Sequence, residues 1–367
     1  MIVFVTLLLG LISGPLPIHV TVEGPVATVE YILDGTVVTR AEYPPWGVTV
    51  DFGPALQPRE LVARALDKDG NEIARATRWV NLPRPPAEAE KRGSAVSTEL
   101  TAVPVRIPEK AAQPTPESLQ GRLSSSGRPL SVAAIDDGPA KVLIVRVPGT
   151  SEAYERLVPP RPKRVDRHFL TLRTDPNARR HEMCLDPEDT VRLLFPTASG
   201  PLDFGVSAEL FDTSGELTHE NGGLFWFLTR TAPGNDAQGD QRIADAVAVA
   251  GLQAATGDHR RAVVLVLGSD LRDTSRYDPA TVRRYLESTR VPLFVWSLEE
   301  PKDNSGLAAW GEVEDISSVH KLYKAYNRLK SELEAQRIVW VEGRHLPQSI
   351  TLAPGTMSVE LLQPRAP

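Results

Sequence analysis

Apolar and polar residues alternate through the first part of the chain with the two-residue period of half-buried strands. Ile18-His19-Val20-Thr21-Val22 is one such run, and Val26 to Leu33 repeats the pattern. Asp34-Gly35 then turns the chain into Thr36-Val37-Val38. Glycine accepts the positive φ that a two-residue hairpin needs there. Trp46 to Phe52, Arg59 to Leu66 and Glu72 to Val80 follow, the last two joined by the turn Asp67-Lys68-Asp69-Gly70-Asn71. Short strands at this spacing predict an antiparallel β-sandwich over residues 16–82.

A different pattern begins near Ala140. Lys141 to Val147 (KVLIVRV) is a compact β-branched run, as expected of a strand covered on both faces. Thr190 to Phe195 and Phe204 to Phe211 read as further strands. Gln241 to Ala255 carries Ile243, Ala246, Val247, Val249, Ala250 and Leu252, the apolar stripe of a packed helix. Arg261 to Leu267 (RAVVLVL) and Val291 to Leu298 (VPLFVWSL) are two more buried-type strands. Between them Pro279 to Thr289 reads as a helix with proline in its first turn. Ser317 to Gln336 reads as a long helix and Arg337 to Val341 as a final strand. This alternation predicts a doubly wound α/β domain over residues 140–345 with a mostly parallel sheet. Pro159 to Pro162 cannot sit inside a helix, and His168 to Leu172 looks more like a strand.

Between the two domains, residues 83–139 are rich in Pro, Ser, Ala and charge and show no sustained period. That composition predicts a linker or extended segment, with a short strand at Ala102 to Ile107. Residues 346–367 read as a C-terminal tail with an edge strand. At the other end, Met1 to Ile12 (MIVFVTLLLGLI) is an apolar run followed by Ser13-Gly14-Pro15. Its length suits the core of an export signal and falls short of a bilayer span. Residues 1–14 are therefore expected to be a signal peptide or N-terminal anchor, with a buried first strand as the alternative. The expected location is periplasm, cell envelope or medium, with membrane attachment only through this segment if it is kept.

Composition narrows the partners. The chain has 367 residues, 41% hydrophobic and 24% charged, which is enough apolar surface for two folded domains. The net charge of −6 argues against nucleic acid, whose binders carry a basic face. The basic runs Arg161-Pro162-Lys163-Arg164 and Arg179-Arg180 have no aromatic neighbours to stack on bases. The single cysteine, Cys184, rules out an intrachain disulfide and a thiolate metal cluster. His181 stands three residues away, but sequence proximity is not geometry.

The phrases VEYILDGTVV, PPWGVTVDFG and LVARALDKDGNEIARA resemble bacterial immunoglobulin-like modules. That resemblance implies a sandwich and little about function. In the second half, five phrases stand in the order found in von Willebrand factor A (VWA)-related domains of the acidobacterial type. They are Leu185 to Val191, Gly239 to Val247, Arg260 to Leu267, Ser269 to Ser275 and Leu333 to Trp340. The resemblance implies a divalent-cation site at the carboxyl ends of the strands. Its oxygen ligands come from a D-x-S-x-S turn, a Thr in a G-G-T loop and an Asp in a T-D-G loop. Carried onto this chain, the turn after the first strand reads Arg146-Val147-Pro148-Gly149-Thr150-Ser151-Glu152, with hydroxyls on Thr150 and Ser151 but no Asp. Gln241 stands where the Thr would be, and only Asp270, with Asp273 three residues on, keeps an acid.

One anchored carboxylate with scattered hydroxyls holds Mg²⁺ poorly, because that ion gives up water reluctantly. The expectation is a degenerate site with no resident cofactor, Glu152 or Asp273 being the residues that could restore a ligand. Asp212-Thr213-Ser214-Gly215 looks like an aspartic-protease D-T-G but lacks a second copy, so a turn is expected. Gly222 to Leu228 (GGLFWFL) is expected to pack in the core, a partner-binding surface being the alternative. The G-x-S-x-G, G-x-x-x-x-G-K-[ST], H-E-x-x-H and G-x-G-x-x-G motifs are absent. The expected function is non-enzymatic: an exported protein that contacts a protein partner in the cell envelope. A metal-dependent adhesion receptor with a rearranged site and an envelope hydrolase are the alternatives.

Overall fold

The computed structural model describes the chain apart from residues 9, 84–99, 110, 148–149, 158–184, 199–210, 217–227, 229–240, 258, 269–272, 301–306, 357–358 and 364–367. Seven strands come first: β1 (Ile2–Phe4), β2 (Pro15–Val22), β3 (Thr28–Leu33), β4 (Thr36–Ala41), β5 (Gly47–Asp51), β6 (Arg59–Leu66) and β7 (Glu72–Val80). They form two antiparallel sheets, β1-β2-β5 and β4-β3-β6-β7. Ile18, Val29, Tyr31, Val50, Leu61 and Ala63 close the core between them. The β3–β4 hairpin turns on Asp34 and Gly35 at φ 48° and 82°. Such a left-handed pair suits Asp-Gly and few other dipeptides.

The N-terminal run, expected as a signal or anchor, is built into this sandwich. β1 pairs antiparallel with β2, Ile2 opposite Val22. Ile2, Phe4, Leu8 and Ile12 are buried in the core, while Val3, Val5 and Leu7 face out and are exposed. Asn81 locks the end of the segment: its Oδ1 accepts from the Ile12 N–H at 2.7 Å, and its Nδ2 donates to the carbonyls of Ile12 and Gln57, each at 2.8 Å. A uniformly apolar sequence conceals an in–out alternation that only the pairing with β2 reveals.

The expected linker is also corrected. Residues 84–99 lie outside the described residues, but strands occupy much of the expected linker from Leu100 to Asp136. β8 (Leu100–Arg106), a single turn α1 (Pro116–Leu119), β9 (Leu123–Ser125), β10 (Arg128–Pro129) and β11 (Val132–Asp136) precede the α/β domain. They combine with three strands that follow it: β18 (Gln336–Glu342), β19 (Ile350–Leu352) and β20 (Glu360–Leu361). The sheets are β11-β18-β8-β20 and β10-β9-β19, closed over Val103, Val105, Leu123, Val132, Val339 and Val341. The strand expected to end the α/β sheet therefore lies inside this second β unit, Gln336 opposite Arg106 through to Glu342 opposite Leu100.

The α/β domain is inserted between β11 and β18. Its elements are β12 (Ala140–Arg146), α2 (Thr150–Leu157), β13 (Thr190–Ala198), β14 (Phe211–Thr213), α3 (Ile243–Ala254), β15 (Arg260–Leu267), α4 (Pro279–Ser288), β16 (Leu293–Ser297), β17 (Val313–Asp315) and α5 (Val319–Ala335). The strand order β14-β13-β12-β15-β16-β17 is doubly wound, as predicted. All neighbours are parallel except the β13–β14 pair. Tyr154 and Leu329 cover one face of the sheet, and Ala246 and Leu286 cover the other. On that second face α3 meets α4 closely: a Cβ on Gly251 would lie 2.2 Å from Leu286 Cδ2.

Both joints are tied by buried polar groups. Gln336, fully buried, accepts from the Arg261 N–H at 2.8 Å and donates to the Arg261 carbonyl at 3.1 Å. Asp189, one of three acids in the Leu185-to-Val191 phrase, accepts from the Ala140 N–H at 2.7 Å and from Arg260 at 3.3 Å. The sandwich docks with Leu11 and Leu56 against the α3–α4 core. Tyr285 Oη donates to the Asn81 carbonyl at 3.0 Å. No described helix is long and apolar enough to cross a membrane.

Candidate functional site

In a doubly wound sheet the strand order reverses beside the first strand, and loops at the carboxyl ends there frame a crevice. Here that place lies at the ends of β12, β13 and β15. Gln241, just before α3, bridges Thr197 of β13 on one side and Asp273 on the other. The Thr274 N–H donates to the Gln241 carbonyl at 2.7 Å. The structure thus brings Gln241 and Asp273 together. Thr150 opens α2, which follows β12. Asp270 and the side chains of Ser151 and Glu152 lie outside the described residues.

Asp273 is already engaged. Its Oδ1 accepts from the N–H of Ile243 at 2.9 Å and of Ser275 at 3.0 Å, and also from the Ser275 hydroxyl. Its Oδ2 accepts from the Ala244 N–H at 3.2 Å. The Ile243 and Ala244 groups are the first free N–H groups of α3, whose own N-cap, Arg242, makes no side-chain cap bond. A carboxylate from a neighbouring loop thus caps the helix and complements its dipole. Thr150 is buried and its hydroxyl donates to the Val147 carbonyl at 2.8 Å.

Two further side chains shape the site and were not singled out by sequence. Asp245 is buried and pairs with Arg242. It also accepts from the N–H groups of Arg276 at 3.1 Å and Tyr277 at 3.2 Å, pinning the loop that carries Asp273 to the helix it caps. Its position in the Gly239-to-Val247 phrase was the available signal. Arg146 ends β12 and is 1% exposed. Its guanidinium donates to the Leu228 carbonyl and lies 5.0 Å from the Phe195 ring centroid. Burial pulls its pKa down to about 10, opposed by Tyr154; the same burial pushes Tyr154 above the ordinary tyrosine value, opposed by Arg146. The guanidinium stays charged at neutral pH. A charged residue inside the apolar run LIVRV was its sequence signal.

Among the described residues, Asp273 and Thr150 do not turn free oxygens toward a common point where a divalent cation would sit. Such an ion needs several anionic or carbonyl oxygens converging on one point. Asp273 directs its oxygens at N–H groups, Thr150 donates to its own turn, and a buried positive charge ends the neighbouring strand. No cluster of three or more His, Cys, Asp or Glu suited to a metal occurs among the described residues. One feature points the other way: Gln241 Oε1 is buried and accepts no hydrogen bond from any described residue.

The remaining sequence candidates find structural places. Phe211 and Thr213 pair with Ala198 and Leu194 in the β13–β14 ladder, and Arg192 donates to Thr213 Oγ1 at 3.0 Å. The D-T-S-G tetrapeptide therefore begins in an edge strand and not in an exposed turn, the side chain of Asp212 lying outside the described residues. Leu228, the last residue of the GGLFWFL run, is buried in the core; residues 222–227 lie outside the described residues, as do His181 and Cys184.

The chain matches no protein-family model and no curated protein. Among solved structures, a fibronectin(III)-like module of Clostridium thermocellum CbhA aligns with 22% of this chain and 93% of its own, at 16% identity and a TM-score of 0.20. Proximal thread matrix protein 1 from the mussel byssus aligns with 57% of this chain at 11% identity and a TM-score of 0.33. A structure of that mussel protein with a zinc-occupied MIDAS motif aligns with 55% of this chain at 12% identity and a TM-score of 0.31. This chain spans about half the length of the mussel protein, 50% and 48% in the two comparisons. Likenesses of this size do not fix a family.

Proposed function

We propose that this protein is a non-enzymatic interaction protein whose α/β domain works by surface contact, without a resident metal. The observation that carries the reading is the use of Asp273 as the cap of α3, which turns a candidate ligand into a structural group. The carboxyl ends of β12 and β15 mark the proposed contact surface, with a protein as partner. The outward-facing Val3, Val5 and Leu7 at the β1 edge add an apolar patch of the kind that proteins cover with other proteins. Calorimetric titration of the full chain with MgCl₂ and MnCl₂ tests the metal-free reading. No saturable heat is expected, and stoichiometric binding lost in Asp270→Ala would overturn it.

A second reading rests on Gln241 Oε1, buried without a hydrogen-bond donor among the described residues, as one ligand of a rearranged cation site. The same titration, repeated with Gln241→Leu, separates the two. Saturable binding that this variant abolishes favours the metal-dependent receptor.

The export suggested by the apolar N-terminal run loses that support, because the run serves as a buried strand of the sandwich. An exported chain of this fold keeps Met1 to Ile12, because cleavage would strip β1 from its sheet. N-terminal sequencing of protein recovered from envelope fractions is expected to show a chain that still contains Ile2 to Ile12, and a start at Gly14 or Pro15 would contradict it.

A further inference from the structure

The seam between the inserted α/β domain and the second β unit holds a cavity of about 1000 Å³. It lies at the end of the α/β sheet opposite Gln241 and Asp273. Pro292, Ile350, Leu352, Val359 and Leu361 give it apolar walls. Arg290 lines the same cavity and is 8% exposed. One guanidinium nitrogen donates to the Ile350 carbonyl at 3.0 Å, while the buried Nε–H has no acceptor among the described residues. Burial lowers the Arg290 pKa from its usual value, with Glu287 opposing.

The other arginines on these walls have counter-charges. Arg106 pairs with Glu332 at 3.7 Å, and Arg328 with Glu312 at 3.1 Å and Glu314 at 3.4 Å. Arg290 forms no ion pair with any described carboxylate. A buried charge is costly unless paired, and a guanidinium holds a carboxylate by charge-assisted N–H donation. Glu312 and Glu332 on the same walls repel a ligand of higher negative charge, and the apolar walls suit an aliphatic body.

We infer that the cavity binds a monocarboxylate with a short aliphatic body, its carboxylate on Arg290. The site is independent of the cation question at the other end of the sheet. Two sources share this chemistry: a free aliphatic acid, and the C-terminal carboxylate of a peptide ending in an aliphatic residue.

Calorimetric titration of the full chain decides it, using hexanoate, hexanamide, inorganic phosphate, and N-acetyl-Ala-Ala-Leu as acid and as amide. At least one carboxylate is expected to saturate, whereas hexanamide, phosphate and the peptide amide do not. Preference for hexanoate assigns the free acid, and preference for the peptide acid assigns a chain terminus. Arg290→Gln should weaken binding by about tenfold or more, the loss expected for a charge-assisted bond. Leu352→Trp fills the cavity with Arg290 intact and should weaken it likewise, which guards against a folding defect in the first variant. Equal binding of hexanoate and hexanamide, no saturation by either carboxylate up to about 10 mM, or unchanged affinity in both variants would overturn the inference.

Discussion

Replacing Asp273 by alanine separates a structural carboxylate from a metal ligand. The variant leaves the N–H groups of Ile243 and Ala244 uncapped and frees Ser275 from the loop. Loss of a helix cap costs about 1 kcal/mol, and loss of a further hydrogen bond to a partly solvated carboxylate costs about 1 kcal/mol more. A total near 2 kcal/mol lowers the midpoint of a domain this large by about 4–8 °C. Asp273→Asn keeps an acceptor but loses the charge, so it should fall between wild type and alanine. Thermal unfolding followed by circular dichroism, with and without 5 mM (roughly, well above the range of specific Mg²⁺ sites) magnesium, supplies the measurement. The expected drop is the same in both buffers. A variant as stable as wild type without magnesium, yet blind to a stabilisation that magnesium gives wild type, would refute the capping role.

Two other perturbations probe the frame around the site. Deleting Met1–Ser13 removes β1 and the buried Ile2, Phe4, Leu8 and Ile12. At about 1.5–3 kcal/mol per buried side chain, taken as an upper estimate, this exceeds what a small sandwich can lose. The truncated chain is expected to show a proteolysis-sensitive sandwich, and an unchanged melting profile would contradict the strand assignment. Asp278 caps α4 by accepting from the Thr281 N–H at 2.8 Å, and that bond holds its pKa below the usual carboxylate value. A lowered folded pKa means the contribution is complete above the unfolded value near 4 and fades as pH falls through the folded one. Asp278→Ala should therefore cost about 1 kcal/mol at neutral pH and progressively less below pH 4 or so, measured by urea unfolding. A deficit independent of pH would refute the charge's role.

How much of this was legible in the sequence depended on whether each signal was local. The Asp34-Gly35 hairpin, the buried runs of β12, β15 and β16, and the stripe on α3 all sit within a few residues and were read from them. The second β unit was not, because all its pairs but the β9–β10 hairpin join residues more than two hundred positions apart, such as Val103 with Val339. Pro104 inside β8 and the prolines around it gave that stretch a linker's composition. A run like Arg337 to Val341 states that it is a strand but not which sheet it joins. At the site, sequence marked Gln241 and Asp273 as neighbours of the crevice. It could not show that Asp273 faces the N–H groups of α3, since that orientation depends on Asp245 holding the loop through Arg276 and Tyr277. Nor could it pair Arg290 with the Ile350 carbonyl across the seam.

A crystal of the full chain soaked in manganese chloride, with data collected at the manganese absorption edge, addresses the metal-free reading most directly. The account predicts no anomalous peak beside Gln241 and Thr150, with Asp273 still bonded to the start of α3. A coordinated ion at that spot, held by Asp270 and the Gln241 side-chain oxygen, would contradict it.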